Sequence, residues 1–82
     1  MRRNELDIVA DILNVAKSGL RKTRIVYSAN LNFKQANRYI SMLRENGLLR
    51  IKGYNYITTN KGMEFLENYN KVRSGVFTRK YF

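Results

Sequence analysis

Thr23-Arg24-Ile25-Val26-Tyr27-Ser28-Ala29-Asn30-Leu31-Asn32-Phe33-Lys34-Gln35-Ala36-Asn37-Arg38-Tyr39-Ile40 contains two helical segments joined by about three residues. Thr23 is the expected N-cap of a short helix from Arg24 to Ala29, with Ile25 and Val26 turned inward. Asn30-Leu31-Asn32 reads as a turn. Asn32 is a good N-cap for the next helix, and Gln35 three residues on makes a variant of the capping box. That helix is expected from Phe33 to about Asn46, stopped by Gly47, with Ala36, Tyr39, Ile40 and Leu43 at the i, i+3, i+4, i+7 positions of its inner face. Two helices joined this tightly have the form of a helix-turn-helix, a signal that is weak until the flanking chain is read.

On the N-terminal side, residues 5–18 predict a first helix. Leu6, Val9, Leu13 and Ala16 form one apolar stripe, and Ile8, Ile12 and Val15 form a second beside it. Only a wedge of Asp7, Asp11, Asn14 and Ser18 stays polar, so the helix should be covered on two sides; Gly19 ends it. On the C-terminal side, residues 48–58 are β-branched and aromatic around Gly53, which predicts a β-hairpin with its tip near Lys52 to Asn55. Thr59 or Asn60 should cap a last helix with Gly62, Phe65, Leu66, Tyr69 and Val72 at helical spacing, ended or bent by Gly75. An apolar-aromatic tail, 75–82, follows.

The composition narrows what such a chain can do. The 82 residues carry 16 Lys+Arg against 6 Asp+Glu, a formal net charge of +10. A single domain of this size buries about 60–65% of its unfolded surface, which leaves little room for an enclosed active site. With no Cys and no His, disulfides, thiolate or imidazole metal sites and the commonest general base are excluded. No base–nucleophile pair or metal-ligand spacing occurs, so neither an enzyme nor a cofactor is expected. No apolar run approaches a membrane span of about 20 residues, and the protein is expected to be soluble and cytoplasmic.

The charge is also localised. Between residues 12 and 44, Lys17, Arg21, Lys22, Arg24, Lys34, Arg38 and Arg44 occur with no acid among them. A solvated surface normally mixes both signs, so this block suggests one electropositive face and a polyanionic partner.

Helix, helix, helix, hairpin, helix is the order of a winged-helix domain: mostly α with a small β-hairpin, built as a three-helix core, a two-stranded wing and a C-terminal helix. Residues 1–82 form a single domain, with the helix-turn-helix at about 23–46, the wing at about 48–58, the C-terminal helix at about 60–74 and the tail at 75–82. The run from Arg21 through Gln35 resembles an archaeal winged-helix family of small, dimeric DNA-binding proteins. So do Tyr39-Ile40 through Gly47-Leu48-Leu49, and the junction Tyr56, Thr59, Lys61-Gly62, Phe65-Leu66. Thr58 stands where the family usually has an apolar strand residue, and the fourth helix looks shorter than the one through which the family's best-known members dimerise. The resemblance implies duplex DNA as partner, in a transcription-regulating or chromatin-type role.

If the third helix packs through Ala36, Ile40 and Leu43, its outer face holds Lys34, Arg38, Ser41 and Glu45, flanked by Gln35 and Asn37. Lys34, Gln35, Asn37, Arg38 and Ser41 are the candidates for the major groove. Arg can bond a guanine edge at two points, Asn or Gln can do the same to adenine, and Lys and Ser suit phosphate or base acceptors. Arg21, Lys22 and Arg24 suit backbone phosphates. Arg50, Lys52, Tyr54 and Asn55 fall on the wing, with Tyr54 expected to be the most exposed aromatic. Met63, Leu66, Tyr69, Val72 and Val76 form a C-terminal stripe expected to bury itself on the first helix or on a second subunit, and a homodimer is favoured. A winged helix that binds RNA or another protein is the alternative reading.

Overall fold

The computed structural model describes residues 3–74. Along the chain run α1 (Glu5–Val15), α2 (Lys22–Ser28), α3 (Phe33–Glu45), β1 (Leu49–Lys52), β2 (Asn55–Thr58) and α4 (Asn60–Ser74). The expected tail, with Gly75 and Val76, lies outside the described residues.

Each helix begins for a legible reason, with one exception. Asn4 caps α1 by accepting from the Asp7 backbone N–H, and the Asp7 carboxylate accepts from Asn4 N–H in return. Asn32 and Gln35 make the same reciprocal pair at the start of α3, at 2.7 and 3.2 Å, as the capping-box reading expected. Thr59 caps α4, its hydroxyl accepting from Gly62 N–H and donating to the Gly47 carbonyl. α2 is the exception. It starts at Lys22, with Arg21 as N-cap and no side-chain cap bond, so Thr23 does not play the role its residue type suggests. The cause is tertiary: Leu20 exchanges both backbone hydrogen bonds with Tyr56, at 2.9 and 2.8 Å. That bridge fixes the chain as a third, minimal strand beside β2, and the helix can begin as soon as it is released.

α1 also ends earlier than its apolar pattern suggests, at Val15. Ala16 leaves helical geometry and Gly19 takes a left-handed φ of +93°. Two of the carbonyls freed at this end are taken by β2: Thr58 N–H donates to Ala16 O at 3.0 Å and the Thr58 hydroxyl donates to Leu13 O at 2.6 Å. The departure from an apolar residue at Thr58 is therefore structural. The side chain is buried and supplies a hydrogen bond that a helix terminus would otherwise lack. Thr58→Val is expected to lower unfolding stability by about 1–3 kcal/mol, the cost of a buried unsatisfied carbonyl. Denaturant titration measures it, and an unchanged midpoint would contradict this role.

β1 and β2 pair antiparallel in the register Leu49↔Thr58 to Lys52↔Asn55, leaving Gly53-Tyr54 as a two-residue turn. Gly53 has φ +63° while Tyr54 does not take a positive φ, the pattern of a type II′ hairpin turn with Gly first.

One core holds these elements together. α1 contributes Ile8, Val9, Ala10, Ile12 and Leu13, its C-cap Ala16, α2 Ile25 and Val26, α3 Ala36, Tyr39, Ile40 and Leu43, β1 Leu49 and α4 Leu66. α1 is covered by α4, α2 and β2, which answers its double apolar stripe without a second subunit. Gly62 of α4 lies so close to the hairpin entry that a Cβ there would meet Leu48 O at 2.5 Å, so the α4–β1 approach depends on its missing side chain.

Polar bonds fasten the edges. Arg3 donates to the carbonyls of Ala29 and Asn30 at the C-terminal end of α2, at 2.6 and 2.8 Å, and pairs with Asp11 at 2.9 Å. The Tyr69 hydroxyl on α4 donates to the Asp7 carboxylate on α1. That bond, together with the Asn4 backbone N–H, holds the Asp7 carboxyl below its ordinary 3.8, while the same bond raises the Tyr69 phenol above 10.0. For Asp7 the folded value lies below the unfolded one, so its contribution is present above about pH 4 and is lost as pH falls through the folded value. Tyr69→Phe should therefore lower the melting temperature at neutral pH and flatten the acid limb below about pH 4, where the variant and the unaltered protein converge. An unchanged acid limb would show that the contact does not act in solution.

Candidate nucleic-acid interface

α3 presents two opposite faces. Ala36, Tyr39, Ile40 and Leu43 are buried, as their spacing predicts. Lys34, Asn37, Arg38 and Ser41 are exposed along the other side, so four of the five groove candidates share an open surface. Gln35 differs. It is half-buried and its Oε1 is engaged with Asn32 N–H, so only its amide N–H group remains to meet a ligand. The Arg38 guanidinium sits 5.7 Å from the centre of the Tyr39 ring, which steadies it beside the helix rather than neutralising it.

The backbone candidates cluster at the start of α2. Arg21 and Arg24 are exposed and Lys22 half-buried. On the wing, Arg50 and Lys52 stand two residues apart on β1 and so share the face opposite Leu49, which enters the core. Asn55 is exposed at the foot of β2. Tyr54 is 85% exposed, the most open aromatic among the described residues, as expected from its place beside Gly53.

The electrostatics are one-sided. The ion pairs found among the described residues are Arg3–Asp11 and Lys71–Glu67. None of Lys17, Arg21, Lys22, Arg24, Lys34, Arg38 and Arg44 takes part in either. The carboxylates lie outside that block: Glu5, Asp7 and Asp11 are on α1, the latter two engaged with Tyr69 and Arg3, Glu64 and Glu67 are on α4, and Glu45 is the last residue of α3. The acid-free block of the sequence thus becomes a set of open cations on α2, α3 and the loop before α2.

Two findings were not legible in the residue order. Tyr27 is 78% exposed on α2, one turn from Thr23 and Arg24, so the structure adds it to the same surface. Its i+3 spacing from Arg24 was the available signal. The C-terminal stripe needs a correction: Leu66 is 4% exposed inside the chain's own core and Tyr69 is bonded to Asp7, so these two are satisfied within one chain. α1 is amphipathic on two sides, and α4 fills the second of them. Met63 and Val72 remain exposed, and Val72 lines an open apolar groove with Leu6, Phe65, Asn68 and Tyr69.

Among the described residues, no group of three or more acidic, His or Cys side chains is gathered as metal ligands would be, and no helix is long and apolar enough to cross a membrane.

A three-helix core with a helix-turn-helix and a hairpin wing defines a winged-helix domain, and the chain belongs to the winged helix-turn-helix family, whose family model matches residues 2–76. It is 36% identical over 73 residues to an uncharacterised protein of Methanocaldococcus jannaschii, a match that covers 88% of this chain and 35% of that protein. A second uncharacterised protein of the same archaeon is 36% identical over 50 residues, covering 60% of this chain and 52% of its own length. The chain thus spans about a third to a half of these curated relatives. Among solved structures it resembles Sso10a-2, a DNA-binding protein from Sulfolobus solfataricus, with a TM-score of 0.74 and 29% identity, covering 96% of this chain and 90% of that one.

Proposed function

We propose that the protein binds duplex DNA, with the outer face of α3 in the major groove, Arg21, Lys22 and Arg24 on the backbone, and Arg50, Lys52, Tyr54 and Asn55 on the flanking strand. The observation that carries this reading is the unneutralised charge. Seven cations between residues 12 and 44 fall on the helix-turn-helix and its approaches, and none is in an ion pair among the described residues. Unpaired charge of one sign attracts a polyanion, and the exposed Arg, Asn and Ser of α3 supply the donors and acceptors that read base edges. The DNA-binding activity named for the similar Sulfolobus protein supports the same reading.

The role this binding serves is transcription regulation or chromatin organisation, in the cytoplasm at the nucleoid, and it is one of recognition rather than catalysis. A homodimer belongs to the proposal: Leu6 and Val72 stay exposed on the apolar groove between α1 and α4, and a two-fold pair would present two copies of α3 to two half-sites. Sedimentation equilibrium reads the subunit number.

Competition separates DNA binding from the RNA- or protein-binding alternative. Unlabelled duplex DNA is expected to displace a labelled duplex at lower concentration than hairpin RNA or single strands do. If RNA displaced it at the lower concentration, the partner assignment would be overturned.

A further inference from the structure

We infer that the cleft between the start of α2 and the wing tip is a single phosphate-binding unit, in which Tyr54 is a positioning residue for Arg21. The inference rests on the DNA-binding reading and adds to it how two separate segments act together. Arg21, Lys22, Thr23 and Tyr54 line an open cleft of about 360 Å³, and no acid is among them. The Arg21 Cζ lies 5.7 Å from the centre of the Tyr54 ring.

The chemistry of that contact leaves Arg21 usable. A cation–π contact occupies a face of the guanidinium, while its N–H donors point outward in the plane of the group. Those donors are what a phosphate accepts, two at a time. An exposed arginine otherwise samples many rotamers, and resting on a ring restricts it before any ligand arrives, which lowers the ordering cost at binding. The Lys22 ammonium and the Thr23 hydroxyl stand on the same wall and complete a set of donors suited to a phosphodiester. Gly53 sets the ring's place through the turn it makes: nothing lies within 4 Å of where its Cβ would be, so its role is conformational.

A double-mutant cycle on duplex affinity tests the coupling. Tyr54→Phe keeps the ring and should keep the coupling, so that Arg21→Ala costs as much in its background as in the unaltered protein. Tyr54→Leu should weaken binding about two- to five-fold, the size of an exposed cation–π contact. Arg21→Ala should then cost less in the Tyr54→Leu background than in the unaltered protein, by the same factor. Equal costs of Arg21→Ala in both backgrounds would overturn the inference and leave Tyr54 as a separate DNA contact.

A second measurement does not depend on DNA. Titration with inorganic pyrophosphate, followed by NMR, should shift the Arg21 Nε–H signal in the unaltered protein and in Tyr54→Phe, and shift it less in Tyr54→Leu. An Arg21 signal that ignores pyrophosphate, or responds equally in all three, would overturn the unit. A pyrophosphate response with no duplex affinity would overturn the DNA-binding reading and leave the unit standing.

Discussion

Reversing two charges on the outer face of α3, Lys34→Glu together with Arg38→Glu, should weaken duplex binding by about 100-fold or more while the protein stays folded. Both side chains are exposed and make no ion pair among the described residues, so the fold loses no partner when they change. Among the described residues, the contact forfeited is that of Arg38 with the Tyr39 ring, worth about 0.5–1 kcal/mol at an exposed site. On DNA the effect is much larger. A good base-edge contact is worth about 1–3 kcal/mol, and each new carboxylate adds repulsion from phosphate. Two such losses amount to at least about 2–3 kcal/mol, which is two decades in affinity. Fluorescence anisotropy with a labelled duplex gives the affinity, and circular dichroism of the same sample reports the fold. Unchanged affinity in a folded double variant would move the interface off α3.

The opposite face of the same helix gives the second large effect, in a different quantity. Leu43→Ala removes a side chain with 0% exposure from the centre of the core, where α3 faces α2 and β1. Truncating a buried Leu to Ala costs about 2–5 kcal/mol, because lost burial adds to the cavity left behind. A domain of this size is expected to be stable by only about 4–12 kcal/mol, so one substitution can take away half of it. The midpoint of denaturant unfolding should fall steeply, and DNA affinity should follow only through the unfolded fraction. A variant that unfolds normally yet loses affinity would mean that Leu43, not the outer face, meets the ligand.

That one helix separates these two outcomes was readable in advance, for a physical reason. The Asn32–Gln35 capping box fixes where α3 starts, and a 3.6-residue period then assigns every later side chain to a face. The hairpin was equally legible, since a glycine in a two-residue turn sets both the tip and the register. Local signals failed where long-range bonds decide. Thr23 is the better cap by residue type, but the Leu20–Tyr56 bridge sets the start of α2 two residues earlier. Thr58 fits its strand because its hydroxyl donates to the Leu13 carbonyl, 45 residues away in sequence, where no local pattern reaches. Arg3 closes the end of α2 from 26 and 27 residues away in sequence, a contact that no local pattern marks.

The candidate site divides in the same way. Its sign and its residues follow from the acid-free block between 12 and 44, because charge is a property of composition. Its internal contacts do not. Arg21 and Tyr54 stand on different elements, and only the fold of the wing against α2 brings them to 5.7 Å. Tyr27 faces outward, although an aromatic in an amphipathic helix ordinarily faces inward, because Ile25, Val26 and Ala29 already fill the inner side of α2 and its C-cap.

The most direct test of a DNA-binding winged helix is the salt dependence of duplex affinity. Arg21, Lys22, Arg24, Arg50 and Lys52 offer about five phosphate contacts per subunit, each releasing about 0.9 of a counterion. Between about 50 and 200 mM salt, the logarithm of the association constant should fall against the logarithm of salt concentration with a slope of about −4 to −5 per subunit. A slope near zero, or no binding at the lowest salt, would contradict the account.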